Sequence, residues 1–355
     1  MGLVVFLAAG ATGICYSRRS TAQPDSKHAT LQLVAKARGA LESQSYFETI
    51  RLARAVPDDH PSAAEVRLWE GIALWNLDRW EAAEEAWRRA LQLNPEVPEA
   101  GWRLLLLFFY EQRFAEAEEL ALKLYPIEPD PGDRTRLLLE LIRQDNERVG
   151  PEATVIKLEP VLLREPQNFH ALRVLGLCYV QLGRIPEGGP LIEQALKMRT
   201  NDPEGWFTRV WYLYETGQME RLGQAWDDVP AEARQQAWFL RYRGMWAEAV
   251  DDSSEAERAY RQALELDPAD RKAHYQLARL LRARGEEEDA AHHETEAREL
   301  DEAREDLAAR YQRTTQPNSR LSAEDCRLLG RLCSRLARNR QGEFWEQEAA
   351  RRPTP

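Results

Sequence analysis

A helical pattern that returns about every 34 residues, from residue 30 to residue 300, constrains this chain more than any other feature. Its clearest copies are LWNLDRWEAAEEAWRRALQLNP (74–95), LRVLGLCYVQLGRIPEGGPLIEQALKM (172–198) and AVDDSSEAERAYRQALELDP (249–268). A unit of this length holds two helices, and one helix pair cannot bury its apolar face alone. The repeat therefore predicts a stack of helix pairs in which each pair covers its neighbours.

Small and large residues recur at fixed places inside the unit. Gly71 stands where the paired helices cross, Trp80 and Trp87 fill the gap between them, and Pro95 closes the unit. Small residues let helices approach closely, and a proline stops a helix because it cannot donate an interior hydrogen bond. Over about three quarters of the chain, these strings resemble the tetratricopeptide repeat. The resemblance implies an all-α, right-handed solenoid of about eight stacked antiparallel helix pairs, in a protein that holds partners rather than transforming substrates.

The pattern divides the chain into three regions: an apolar segment and polar linker over 1–29, a solenoid with a capping helix over 30–312, and a linker with a divergent helix pair over 313–355. The predicted repeat units are 30–61, 62–95, 96–129, 130–166, 167–203, 204–230, 231–268 and 269–302, followed by a polar capping helix over 301–312. The fourth unit departs most from the pattern, because it lacks the small crossing residue and contains Pro151 and Pro160. The sixth unit is shortened and ends at Pro230.

The amino terminus carries the one membrane-like segment of the sequence. Leu3 to Tyr16 is uncharged and apolar, and Arg18 and Arg19 follow it. A helix of this length spans about 21 Å against roughly 30 Å of hydrocarbon. We predict an uncleaved membrane tether, with the side of the membrane left open. The alternatives are an export signal whose start lies upstream of Met1, which would leave an exported or periplasmic protein, and a buried first helix.

Charge and composition exclude several function classes. The chain has 48 basic and 59 acidic residues, a formal charge of −11, so its surface should repel nucleic acid. Its four cysteines form no C-x-x-C motif and are too scattered for a disulfide framework. No nucleophile, metal or phosphate constellation has the required spacing, and His292-His293-Glu294 is not a zinc-binding H-E-x-x-H motif. We therefore predict no enzyme activity, no metal and no cofactor.

The first helices of the units are where binding is expected. In proteins with this repeat, these helices line a concave groove, and the resemblance places seven residues there. Two first helices, around 101–110 and 206–214, are apolar on nearly all sides, which favours a groove for a peptide or helix of a partner protein. The alternative is that most of these aromatic residues pack in the core. The predicted groove residues are Trp75, Trp102, Phe109, Arg173, Phe207, Trp211 and Tyr214.

A second candidate surface lies near the carboxyl terminus. Ser322 and Asp325 predict the start of a helix, and four arginines follow it at helical spacing. This stripe, Arg327, Arg331, Arg335 and Arg338, could dock an acidic protein or an anionic lipid surface. The alternative is a solvated helix face. Whether exposed aromatic residues also form homo-oligomers stays open.

Together these features predict a membrane-tethered scaffold that holds another protein in its groove. The alternative is an assembly factor for the bacterial envelope or for a secretion complex, and a catalytic subunit completed by a partner is a third interpretation. The short anchor, the Arg18-Arg19 flank and the repeat array are together similar to a bacterial family that regulates lipopolysaccharide synthesis from the inner membrane. That family ends in paired C-x-x-C motifs, which this chain lacks.

Overall fold

The computed structural model describes residues 24–146, 150–314 and 321–352, and within these ranges the chain is an all-α solenoid of packed helix pairs. The predicted tether over 3–16 and most of the predicted linker over 313–320 lie outside the described residues. Nineteen α-helices occur in these ranges. They are α1 Pro24–Glu42, α2 Tyr46–Arg54, α3 Ala63–Asn76, α4 Trp80–Leu93, α5 Pro98–Tyr110, α6 Phe114–Leu124, α7 Pro131–Asn146, α8 Pro151–Arg164, α9 Phe169–Gln181, α10 Ile185–Met198, α11 Pro203–Glu215, α12 Met219–Ala225, α13 Ala231–Arg234, α14 Ala237–Ala249, α15 Ser253–Leu266, α16 Arg271–Ala283, α17 Glu287–Thr314, α18 Ala323–Arg335 and α19 Asn339–Ala350.

The hairpin turns show the period of the repeat directly. Each turn of the regular hairpins contains one residue with a positive φ angle, a conformation that glycine adopts most easily. Over α1–α6 these residues are Gln44, Asp78 and Gln112, and over α9–α17 they are Gly183, Gly217, Asp251 and Gly285. Within each group, successive turn residues are separated by one and the same repeat length. The solenoid therefore consists of two arrays in strict repeat, a first array α1–α6 and a second array α9–α17, separated by the irregular region of α7 and α8.

Within a hairpin, a glycine on the first helix receives a large side chain from the second. A Cβ atom on Gly71 would lie 2.3 Å from Trp87 Nε1, and one on Gly244 would lie 2.5 Å from Tyr260. Trp87 is buried and donates from its indole nitrogen to the carbonyl of Leu68 at 3.3 Å. These contacts allow the close helix crossing that the spacing of small and large residues predicted.

The predicted fourth pair does not form a hairpin like its neighbours. Among the described residues, α7 packs mainly against α6, α17 and α19, whereas α8 packs mainly against α9. Gly71 is the crossing residue of the second unit. The equivalent positions in the third and fourth units hold Leu105 and Leu139. The third unit nevertheless keeps its α5–α6 hairpin, so a bulky crossing residue alone does not separate a pair. The difference in the fourth unit is that α17 and α19, rather than α8, pack against α7.

The carboxyl-terminal region supplies those partners. The predicted separate capping helix over 301–312 is instead continuous with the second helix of the last unit, and together they form the 28-residue α17. Its buried side chains Leu300, Leu307 and Tyr311 share one apolar core with α7 and with Trp345 of α19. Helices α18 and α19 pack closely on each other and form a pair against α17 and α7. The end of the chain therefore returns to the middle of the solenoid.

Two smaller features bear on the sequence predictions. In the sixth unit the second helix α12 has only seven residues and a four-residue helix, α13, follows it, but the turn residues Gly217 and Asp251 still lie one repeat length apart. In the part of the chain that the structure describes, no helix combines the length and the apolar character needed to cross a membrane.

Candidate partner-binding groove

A groove of about 360 Å³ lies between the first helices α5 and α7. Trp102 and Phe109 are two turns apart on α5 and therefore lie on one face of that helix. Both are half-buried, and Leu106 between them is 38% exposed. Other groove-lining residues are Glu99, Arg103, Leu105, Asp133, Arg136, Glu140 and Arg143. The groove thus has an aromatic floor on α5 and a charged wall on α7.

Two arginines of α7 lie over the two aromatic rings of α5. The guanidinium carbon of Arg136 is 4.7 Å from the centre of the Trp102 ring, and that of Arg143 is 5.6 Å from the centre of the Phe109 ring. A cation over an aromatic face is attracted by the ring quadrupole. Each ring and its arginine together offer a flat apolar surface with a positive edge, which suits an apolar side chain with an acidic neighbour.

Carboxylates balance the charge along the groove. Glu140 lies 2.6 Å from Arg143 and 3.9 Å from Arg136, and on α5 Glu99 lies 2.7 Å from Arg103. These pairs are partly exposed, so water screens them and each adds little stability. They can exchange partners at small cost, which leaves the arginines available to a binding segment that carries its own carboxylates.

Three predicted groove residues lie on α11 instead. Phe207, Trp211 and Tyr214 are half-buried, and the ring of Phe207 meets Trp238 edge-on at 5.2 Å. The ring of Tyr214 meets Tyr242 of α14 at 5.6 Å. Phe207 and Tyr214 thus contact α14, the first helix of the next unit.

Trp75 and Arg173 have structural partners. The ring of Trp75 stacks on Trp80, with 4.1 Å between ring centres and 8° between planes. Arg173 is only 3% exposed, although the sequence prediction placed it in an accessible groove. Its guanidinium donates to the carbonyl of Glu111 at 2.7 Å and pairs with Glu204 at 3.0 Å. Its two partners lie in the α5–α6 turn and on α11, so other units of the solenoid enclose its guanidinium.

A buried charge network surrounds the α5–α6 turn. Arg113 in the α5–α6 turn contacts Glu84, Glu111 and Glu116, each at 2.7 Å. Burial is the largest influence on Glu111 and raises its pKa to about 8, although Arg113 acts in the opposite direction. Burial likewise lowers the pKa of the neighbouring His170 to about 2, with the nearby arginines acting in the same direction. Arg113 and its three carboxylates all belong to the first array, and packing there accounts for the shifted pKa of Glu111.

The carboxyl-terminal arginines do not form one free basic stripe. Arg327 and Arg331 are exposed on α18, but Arg335 pairs with Glu296 at 2.8 Å and with Glu299 at 3.0 Å, both on α17. Arg338 is half-buried at the start of α19. Part of the predicted stripe therefore serves the contact between α18 and α17.

Sequence reasoning missed the α7 side of the groove. Arg136 stands one repeat length after Trp102, and Arg143 stands one repeat length after Phe109, so each arginine occupies the same position in the next unit. Applying the period to the two aromatic residues would have found both.

Among the described residues, no group of three or more His, Cys, Asp and Glu side chains could hold a metal ion.

Part of the chain matches a known protein family. Residues 68–134, which include α5, α6 and the first residues of α7, match the tetratricopeptide repeat family. None of the curated proteins matches the sequence.

Solved structures with similarity to this chain include the following three. MamA from Desulfovibrio magneticus RS-1 is 21% identical with a TM-score of 0.38, and the match covers 49% of this chain and 98% of MamA. PilW, described as a type IV pilus biogenesis factor, is 18% identical with a TM-score of 0.40 over 61% of this chain and 90% of its own. A thermophilic TPR protein from Thermus thermophilus is 17% identical with a TM-score of 0.35 over 62% of this chain and 99% of its own. Similarities at this level assign no function to the chain.

Proposed function

We propose that this protein is a non-catalytic scaffold that holds an amphipathic segment of another protein in the groove between α5 and α7. The observation that carries the proposal is the pairing of Trp102 with Arg136 and of Phe109 with Arg143 across that groove. The repeat fold supports the general role, because solenoids of helix pairs present long concave surfaces to partners.

The groove favours a particular kind of segment. An apolar side chain would cover Leu106 and the edges of the two rings, and burying an exposed aliphatic or aromatic side chain contributes about 1.5–3 kcal/mol. Acidic residues beside that anchor would pair with Arg136 or Arg143, and basic residues would pair with Glu140 or Glu99. A segment with one or two apolar anchors and flanking charges therefore fits better than a wholly apolar or wholly acidic one.

A peptide display experiment on the full-length chain tests this function. We expect the selected sequences to share an apolar residue flanked by charged ones, and to lose at least tenfold in affinity for the Trp102→Ala/Phe109→Ala variant. The matched control is Phe47→Ala/Leu163→Ala, which removes two apolar side chains that are 68% and 82% exposed elsewhere. Circular dichroism establishes that both variants are folded.

Two results would contradict the proposal. One is a set of selected peptides that bind the groove variant as tightly as the parent chain. The other is an equal loss of affinity in the Phe47→Ala/Leu163→Ala control, since this would place binding on general exposed apolar surface rather than in the groove.

Membrane tethering through residues 3–16 is a separate proposal, motivated by the uncharged apolar run Leu3–Tyr16 and by Arg18 and Arg19. A tethered chain should sediment with membranes and stay there in high salt, and a variant with two lysines within 3–16 should be released. If the unaltered chain is found in the soluble fraction, the tether is wrong and the groove proposal is unaffected.

A further inference from the structure

Helix α7 forms one wall of the groove, yet two of its three main packing partners come from distant parts of the chain. In the regular hairpins the first helix is held by the second helix of its own unit, for example α3 by α4 and α9 by α10. Among the described residues α7 is held by α6, by α17 and by α19. The position of the groove wall thus depends on α17 and α19, which begin at Glu287 and Asn339, far beyond α7 in the sequence.

A buried polar cluster fixes α19 to the α6–α7 junction. The carboxylate of Glu348, on α19, is buried and accepts hydrogen bonds from Tyr125 Oη at 2.9 Å and from Thr135 Oγ1 at 3.0 Å. It also pairs with Arg352 at 3.1 Å and with Arg134 at 3.4 Å. A buried carboxylate with this many partners strongly prefers one geometry, because separating them leaves charges without compensation. The cluster therefore sets where the start of α7 lies.

Apolar contacts extend the same attachment. The ring of Tyr125 meets Phe344 of α19 edge-on, with ring centres 4.7 Å apart. The fully buried Trp345 belongs to the apolar core that also contains Leu138 and Ile142 of α7. Polar contacts thus fix the start of α7, and its apolar face belongs to the same core as α19.

The attachment and the groove use two sides of one helix. Thr135, Leu138 and Ile142 follow the spacing of one helix face, and Arg136, Glu140 and Arg143 follow the spacing of the adjacent face. A packed α-helix moves as a unit, so a shift of the attached face displaces both arginines relative to the aromatic rings of α5.

We propose that the carboxyl-terminal helix pair α18–α19 positions α7 and so sets the geometry of the groove. Glu348 and Tyr125 are then positioning residues for partner binding, although neither lines the groove. The expected effect on partner binding rests on the groove function proposed above. The placement of α7 itself can be measured without any partner.

Hydrogen exchange and peptide affinity on the full-length chain test the proposal together. For Glu348→Ala we expect backbone amides of α7 to exchange at least tenfold faster, and groove-selected peptides to bind at least fivefold more weakly. Glu348→Gln keeps one acceptor oxygen where Tyr125 and Thr135 now donate to two, so it should recover part of both effects. Where Glu348→Ala fails to fold, Tyr125→Phe takes its place and should show a smaller change in the same direction.

Two controls separate positioning from general destabilisation. Arg331→Ala changes an exposed side chain of the same helix pair and should leave both readouts unchanged. Gly244→Ala places a Cβ atom 2.5 Å from Tyr260 in the second array, so it should destabilise the fold without changing α7 exchange or peptide affinity when the protein is folded.

The outcomes distinguish the two proposals. Unchanged α7 exchange in folded Glu348→Ala overturns the positioning role, and so does an equal effect of Gly244→Ala. Faster α7 exchange with unchanged affinity of groove-bound peptides overturns the link to binding. If no peptide selects the groove in any variant, the groove function fails, while faster α7 exchange would still support the attachment of α7 through Glu348.

Discussion

Tyr125 Oη donates a hydrogen bond to Glu348 Oε2 at 2.9 Å, although the two residues are 223 positions apart in the sequence. Burial, together with this carboxylate, raises the pKa of Tyr125 to about 12. Burial acts to raise the pKa of Glu348, but hydrogen bonds from Tyr125 and Thr135 and the charge of Arg352 outweigh it and lower that pKa overall. The bond therefore joins a neutral phenol to a carboxylate that stays ionised.

Removing this hydrogen bond should weaken the fold measurably. We expect Tyr125→Phe to lower the free energy of unfolding by about 1 kcal/mol, and Glu348→Ala by about 2–3 kcal/mol, because the second change leaves buried donors without an acceptor. Urea unfolding of both single variants and the double variant gives the coupling energy, which should be about 1 kcal/mol. Arg327→Gln, on the exposed face of α18, serves as the control and should change stability by less than about 0.5 kcal/mol. Strictly additive effects would show that the two groups do not interact.

Arg173 should matter for stability rather than for partner binding. It is buried, donates to the Glu111 carbonyl and pairs with Glu204, so Arg173→Met leaves two polar groups without their partner. We expect a loss of about 2–3 kcal/mol in urea unfolding, with unchanged affinity for groove-selected peptides when the protein is folded. Arg38→Met breaks an exposed pair with Glu42 and should cost less than about 0.5 kcal/mol. A large change in peptide affinity with little loss of stability would show that Arg173 contributes to partner binding and not mainly to the fold.

The packing and turn residues within each unit were predictable from the sequence, because they recur with the period of the repeat. The crossing glycine Gly71, its partner Trp87 and the turn residue Asp78 lie within one unit, so periodicity and turn chemistry identify them. The groove residues Arg136 and Arg143 could have been predicted in the same way, because they stand one period after the two aromatic residues of α5.

The closure of the carboxyl-terminal pair onto α7 was not predictable in this way. Periodicity shows that a helix has an apolar face, but it does not say which distant helix covers that face. Tyr125 and Glu348 carry no shared pattern, and their contact depends on where two arrays and the long α17 bring the end of the chain. For the same reason the burial of Arg173 was missed, since its partners Glu111 and Glu204 belong to two other units.

Alanine substitutions at two glycines should change the stability of the fold in opposite directions. Gly71→Ala would place a methyl group 2.3 Å from Trp87 Nε1, so we expect a loss of about 1–3 kcal/mol from overpacking. Gly39 lies on an exposed face of α1 with nothing within 4 Å, so Gly39→Ala should stabilise by about 0.5–1 kcal/mol through helix propensity. Thermal unfolding of both variants measures the difference. Stabilisation by Gly71→Ala would mean that Trp87 does not fill the helix crossing.

A histidine pair on α16 and α17 should make the fold sensitive to mild acid. His274 Nε2 lies 3.1 Å from the carbonyl of Pro268, which only accepts, so in neutral His274 the hydrogen is on Nε2 and Nδ1 is an acceptor. His293 Nδ1 lies 2.9 Å from that Nδ1 and donates to it. Burial, and then the neighbouring His274 and His292, lower the pKa of His293 to about 4 from its ordinary 6.5.

The sign of the effect follows from this shift. Between pH 6.5 and about 4 the unfolded chain binds a proton at His293 that the folded chain does not, so stability falls as the pH falls through this window. We expect the Tm to drop on moving from about pH 7 to about pH 5, and the drop to be smaller in His293→Gln, which keeps an N–H donor for His274. His292→Gln, at an exposed neighbouring position, removes only the smallest of these three influences on His293 and should keep most of the drop. If His293→Gln shows the same pH dependence as the parent chain, carboxylates elsewhere account for the acid sensitivity and the histidine pair does not contribute.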